Sequence, residues 1–337
     1  MPASATLPQR SDTPVPTGFE RLSRSEWRAR EETHHTRADA LSAGHRDRKP
    51  RGEKHPVEDF LWTYYSVTPR ELGRWHPGAG VILEDAAEDR AGWKHYATAG
   101  AAPGGVEAVE ADPAGAERDA LVDTAAYFAR RGSTVDYVER LLAATLERTP
   151  SYGCFGLHEW AMVYRLGPER IRHAGLPLRI GHEATDAVVE SHRIACSHFD
   201  AYRFFTPDAA PLNTMRPTRE TQPEIEQAGC LHAGMDVYKW AAKLGPIVPG
   251  ELLLDAFELS RDIREVDMRA SPYDVTAFTG AGGRPLAAIA IETPAGKAEY
   301  SALQRGFAAR GNGLRERVLT AISRARRVAA PIAGPRP

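Results

Sequence analysis

The chain has 337 residues, 42% of them hydrophobic and 26% charged, with a net charge of −2. This is the composition of a globular protein able to bury a large core, and the near-zero charge excludes any global attraction to nucleic acid or an anionic membrane, so either would need a local patch. Three cysteines (Cys154, Cys196 and Cys230) without CxxC spacing argue against a disulfide framework or a thiolate zinc site, and the lack of a signal-like or membrane-length apolar run makes a reducing cytoplasm the expected location.

Residues 1–20, rich in Pro, Ser and Thr, are expected to form a disordered leader. A polar helix is predicted over Ser23–Ala43 with Ser25 as its cap. The run HRDRKPRGEKH that follows is the one basic patch, broken by Pro50 and Gly52. HPVEDFLWTYY predicts a buried helix packing Phe60, Leu61, Tyr64 and Tyr65, and WHPGAGVIL a turn feeding a short strand. Residues 98–117, mostly Ala, Gly and Pro, predict a flexible insertion. The three- and four-residue spacing from Glu117 to Arg148 predicts a helix pair split at Gly132. Further helices are predicted over Leu157–Arg165, Thr185–Ser191, Cys230–Leu244, Glu251–Met268, Ala298–Ala308 and Leu314–Val328. Pro285–Glu292 is a candidate strand, and Ile194–Phe205 fits either type. The expected fold is mainly α with a small β component, a single large helical domain over 21–330 followed by a tail, 331–337.

Six of the twelve histidines fall between Gly153 and Asp267, in apolar and aromatic frames where charged groups persist when paired, hydrogen-bonded or functional. In GCLHAGMDVYKWAAKL, His232 and Asp236 stand four apart on one helix face, a spacing that lets them grip one metal ion, lets the acid orient the ring, or makes a plain polar pair. Glu251, Asp255, Glu258, Asp262 and Glu265 form one helical stripe, expected to be solvated, while Asp267 lies off it toward the apolar side. In VVESHRIACSHFDAYRFF, extended backbone would set His192 beside Glu190 and His198 beside Asp200, the arrangement of an oriented base or ligand. His158 and Glu159 begin like a zinc-protease helix, but Met162 stands where the second His is required. The absence of GxxxxGK[ST], GxGxxG and GxSxG argues against P-loop, Rossmann and α/β-hydrolase chemistry.

The strings HPVEDFLWTYYS, RWHPGAGV, GLHEWAMVYR, CSHFDAYRFFTPDAAPLN, GCLHAGMDVYKWAAKL, DIREVDMRASPYD and IETPAGKAEY resemble those of a mostly actinobacterial group commonly labelled 3-methyladenine DNA glycosylase, over about residues 25–320 apart from the insertion. The resemblance implies base-excision repair: hydrolysis of the N-glycosidic bond of an alkylated purine in damaged duplex DNA, without a cofactor. For that chemistry Trp160, Tyr164, Tyr202, Phe205 and Tyr238 offer rings to hold a flipped base, Arg203 and the basic run offer phosphate contacts, and Asp200, Asp236 or Asp267 offers the catalytic carboxylate, with His198 and His232 as further catalytic candidates. The residue content supports an alternative, a non-haem iron or zinc enzyme acting on a small molecule, with metal ligands drawn from His158, His192, His198, His232, Asp236 and Glu258. A helical binding module without catalysis is a third reading.

Overall fold

The computed structural model describes residues 18–101, 113–171 and 175–329. Most of the expected leader, the centre of the 98–117 insertion and the 331–337 tail lie outside these residues. The fold is mainly helical with one small sheet.

Helix Arg24–Arg48 begins at Ser23 rather than Ser25. The Ser23 hydroxyl accepts from Glu26 N, and the Glu26 carboxylate returns to Ser23 N at 2.8 Å, a reciprocal cap that Ser25 has no acid to complete. The helix runs past Ala43 to Arg48, because ion pairs of Arg48 with Glu58 (2.7 Å) and Asp59 (2.9 Å) hold its last turn. Helix Glu58–Tyr64 follows, burying Leu61 and leaving Phe60 and Tyr64 half-buried.

Four strands of three residues, β1 (Glu20–Leu22), β2 (Val81–Leu83), β3 (Tyr96–Thr98) and β4 (Ala120–Val122), form a sheet ordered β1-β2-β4-β3. β1 pairs parallel to β2 and the other pairs are antiparallel, with Ile82 opposite Leu121. Strands β3 and β4 flank the predicted insertion, whose described end packs Ala116 against Ile82, Ala99 and Leu121, so the chain on both sides of it shares one small core. The predicted strand Pro285–Glu292 stays unpaired apart from a bridge between Thr279 and Pro285. Its apolar residues Leu286, Ile289 and Ile291 are buried, and single backbone bonds from Leu286 N to Phe278 O (3.0 Å) and from Ile289 N to Arg269 O (2.8 Å) hold it without a strand ladder.

The predicted helix pair at 117–148 is β4 followed by one helix, Thr124–Glu147. Gly132 sits within it at an unobstructed site where the weak intrinsic preference of glycine is overridden. The two helices expected after residue 298 are likewise one, Pro294–Ala329, running through Gly306, Gly311 and Gly313. Helices Leu231–Leu244 and Gly250–Arg269 match their predicted spans to within a residue or two. They pack so closely that a methyl group on Gly234 would sit 2.7 Å from Ile263 Cδ1, and Ser260 Oγ donates across to Met235 O at 2.8 Å. Ile194–Phe205 is extended at first, bridging Asn213 from Ile194, and then forms the single turn Phe199–Tyr202.

Candidate metal centre

Three segments bring the central side chains together. Phe155 (φ 46°) and Gly156 (φ 69°) turn the chain sharply into the short helix Leu157–Ala161, which presents His158 and Glu159. Cys230 precedes helix Leu231–Leu244 and sets His232 in its first turn. Helix Gly250–Arg269 supplies Arg264 and Asp267 from its buried side.

His158, His232 and Asp267 each place a ligand-capable atom within 4.8 Å of the others, and all three are buried. His158 Nε2 and Asp267 Oδ1 are 3.0 Å apart, yet neither makes a hydrogen bond, because their approach is off the axis that such a bond requires. The His232 ring meets that of His158 edge to face, centroids 4.4 Å apart. Burial works against charge on His158, but adjacent Asp267 outweighs it and raises the pKa of His158 well above the usual histidine range. Burial and then the repulsion of His158 push His232 well below that range, so His232 is neutral. Asp267, opposed by burial but drawn down by His158, is a carboxylate. Arg264 Nη1 bridges Asp267 Oδ2 at 2.9 Å and Glu159 Oε1 at 2.8 Å, and its guanidinium carbon lies 4.1 Å over the Phe60 ring.

A second cluster adjoins the first. His198 stacks on His232 at 5.3 Å, donates from Nδ1 to Glu226 Oε2 at 2.9 Å and faces Asp236 Oδ2 at 3.6 Å. Lys239 Nζ donates to Asp236 at 2.7 Å and Asp200 at 2.9 Å, and Tyr65 OH donates to Asp236 Oδ1 at 3.1 Å. His198, Asp200 and Asp236 also bring ligand atoms within 4.8 Å of one another, but Lys239 already supplies the cation. Burial raises the cost of each charge here. Lys239 nonetheless keeps Asp200 below the usual carboxylate range, and Glu226 with Asp236 keeps the pKa of His198 raised.

A cavity of about 350 Å³ opens onto the first cluster. His232, Arg264 and Glu159 form its polar wall beside Asp200, and Phe60, Tyr64, Met162 and Phe204 its apolar wall. Phe60 and Tyr64 are stacked at 4.9 Å.

Of the residues singled out in the sequence, His158, His232 and Asp267 converge in one group and His198, Asp200 and Asp236 in another. His232 and Asp236 share a helix face as expected, but they divide between the two groups, because each meets a different partner across the interface. His192 is apart from both: its Nδ1 contacts Val188 O at 2.6 Å. Glu190 binds Tyr164 OH and Arg165 instead of His192. Glu258 lies with the acidic stripe and pairs with Arg37 at 2.8 Å, so it is no part of either cluster. The stripe is less solvated than expected, since arginines also hold Glu251, Asp255 and Asp262. None of the five rings proposed to hold a base lines this cavity. Trp160 is fully buried with Nε1 donating to Ala270 O, Tyr238 packs between Tyr65 and Phe257, Tyr164 binds Glu190, and Tyr202 packs on Phe205. Arg203 pairs with Asp200 at 3.1 Å. Within the basic run, acids hold Arg46, Arg48 and Arg51. Arg264 and Glu226 were missed as components of the site, although an arginine three residues before Asp267 in the frame DIREVDM was the visible signal.

No protein-family profile, curated protein or solved structure matches the chain. Among the described residues no helix is long and apolar enough to cross a membrane.

Proposed function

We propose that the protein is a metal-dependent enzyme acting on a small molecule, with zinc or non-haem iron held by His158, His232 and Asp267. The observation that carries this reading is the 3.0 Å approach of His158 Nε2 and Asp267 Oδ1 without a hydrogen bond. Two ligand atoms bound about 2.1 Å from one ion lie about 3 Å apart at the right angle of six-coordinate iron and about 3.4 Å apart at the tetrahedral angle of zinc, and either way they point at the ion rather than at each other. Two imidazoles and one carboxylate suit zinc or iron, and three protein ligands with a cavity alongside is the pattern of catalytic rather than structural ions. Such an ion would act as a Lewis acid or redox centre toward a molecule in the cavity. His232 is already neutral, as a ligand must be, and Arg264 fixes the far oxygen of Asp267, so the ligand oxygen is preset.

Elemental analysis of protein purified without chelator tests this. One equivalent of transition metal in the wild type, falling below about a tenth in Asp267→Asn, is the expected result; the same trace amount in both would sink it. Base excision is a second reading, supported by the aromatic cavity beside Asp200, whose volume suits a purine. Release of methylated base from alkylated duplex DNA by metal-free protein would favour it over the first.

A further inference from the structure

We propose that the cavity beside the metal centre takes a small monocarboxylate with an apolar or aromatic body, and that the free Nε and Nη2 edge of Arg264 receives its carboxylate. The proposal rests on the metal-centre reading above and names the class of molecule that site would act on.

A guanidinium carries N–H donors on all three nitrogens, and each one left unpaired inside a protein is costly. Arg264 is 1% exposed and lines the cavity with Glu159 and His232. Both of its carboxylate partners meet Nη1, Glu159 Oε1 at 2.8 Å and Asp267 Oδ2 at 2.9 Å. Nε and Nη2 are buried and have no hydrogen-bond partner among the described residues. Phe60, whose ring lies 4.1 Å from the guanidinium carbon, supplies no acceptor atom. Arg48, Arg90, Arg179, Arg261, Arg315 and Arg324 also leave a buried Nε unpaired, but each of them lacks only that one partner. Arg264 alone among the described residues leaves a whole edge unused. The N–H bonds of Nε and Nη2 run parallel on that edge, the geometry that grips both oxygens of one carboxylate.

Charge points the same way. Imidazole ligates as the neutral ring, so a divalent ion held by two histidines and Asp267, with Arg264 and Glu159 beside it, leaves one positive charge unbalanced. Asp200, the other acid of the cavity, is already matched by Lys239 at 2.9 Å and Arg203 at 3.1 Å. A single negative charge completes the balance. A phosphate monoester, nearly doubly charged at neutral pH, would set surplus negative charge against Glu159 and Asp200. The cavity of about 350 Å³ has room for a carboxylate head and for a body lying against Phe60, Tyr64, Met162 and Phe204.

The test is calorimetric titration of full-length wild-type protein, zinc-loaded and EDTA-treated, with 3-phenylpropionate, 3-phenylpropionamide and 2-phenylethyl phosphate. The carboxylate is expected to bind both forms, more weakly without the ion, and in each at least about tenfold more tightly than the amide, as a charge-assisted pair requires. The Nε–H resonance of Arg264 in the EDTA-treated protein should move downfield as 3-phenylpropionate is added, a readout that needs no variant to fold. Equal affinity for carboxylate and amide, tighter binding of the phosphate, no binding to either form, or an unmoved Nε–H resonance overturns the proposal. So does a carboxylate preference confined to the zinc-loaded form, since the ion and not Arg264 would then hold the carboxylate. Carboxylate preference in a protein that takes up no stoichiometric zinc sinks the metal-centre reading and leaves the Arg264 assignment standing.

Discussion

His158 and Asp267 come from helices that begin more than ninety residues apart, and their nearest atoms stand 3.0 Å from each other without a hydrogen bond between them. In a fully buried pair this is an unusual economy, because desolvation penalises both groups and the best-aligned bond would recover most of the loss. Geometry that forgoes that bond makes sense if both atoms serve a third body.

Arg264 is the counterweight of this arrangement, 1% exposed and paired through one nitrogen with Glu159 and Asp267. Arg264→Met leaves the Glu159 carboxylate and the far oxygen of Asp267 buried without their cation and should destabilise the protein by roughly 3–5 kcal/mol. Adding Glu159→Gln should recover part of that loss, giving a coupling energy in a denaturant double-mutant cycle. Strict additivity would mean that the bridge contributes nothing.

Close approach of the two central helices predicts a steric cost at Gly234. Gly234→Ala puts a methyl group 2.7 Å from Ile263 Cδ1, so despite the better helix preference of alanine it should destabilise by about 1–3 kcal/mol. Ile263→Val removes the obstructing methyl, and the double variant should be more stable than Gly234→Ala alone. A stabilised Gly234→Ala would show that the helices separate freely.

Helix Arg24–Arg48 makes the protein sensitive to acid through His34. His34 is 2% exposed, donates from Nε2 to Leu72 O at 2.9 Å, and has no partner at Nδ1. Burial depresses its pKa, which the Leu72 bond and Glu251 only partly offset and which His35 and Arg37 depress further. The folded ring therefore stays neutral at a pH where the unfolded chain, with a histidine pKa of about 6.5, takes up a proton. The unfolded state binds more protons, so this stability is present above about pH 6.5 and is lost as the pH falls below it. His34→Gln keeps a donor for Leu72 O and should flatten the fall in urea midpoint between about pH 6.5 and pH 4. An unaltered slope would assign the acid sensitivity to other groups.

Helices with a long apolar period were legible from sequence, and Leu231–Leu244 and Gly250–Arg269 were placed closely because one continuous face of each is buried. Of the sheet only β2 was legible, as the short strand closing WHPGAGVIL; β1, β3 and β4 were not, since three-residue strands are too short to show alternation and their pairing is decided by contacts far along the chain. Asp267 stood out by leaving its acidic row for the apolar side, whereas Glu258 misled, because Arg37, which neutralises it, lies 221 residues away in sequence. Spacing showed that His232 and Asp236 share a face. It could not show that His158 and His198 arrive from separate segments and draw them into different clusters. The rings of the cavity, Phe60, Tyr64 and Phe204, were indistinguishable in sequence from rings of the core, because both occur in the same apolar frames.

The most direct test is anomalous diffraction from crystals grown with one equivalent of Zn(II) and recorded on both sides of the zinc absorption edge. The account predicts one strong peak about 2.1 Å from His158 Nε2, a His232 ring nitrogen and Asp267 Oδ1. A featureless map at that point, or a peak lodged instead among His198, Asp200 and Asp236 with Lys239 displaced, would contradict it.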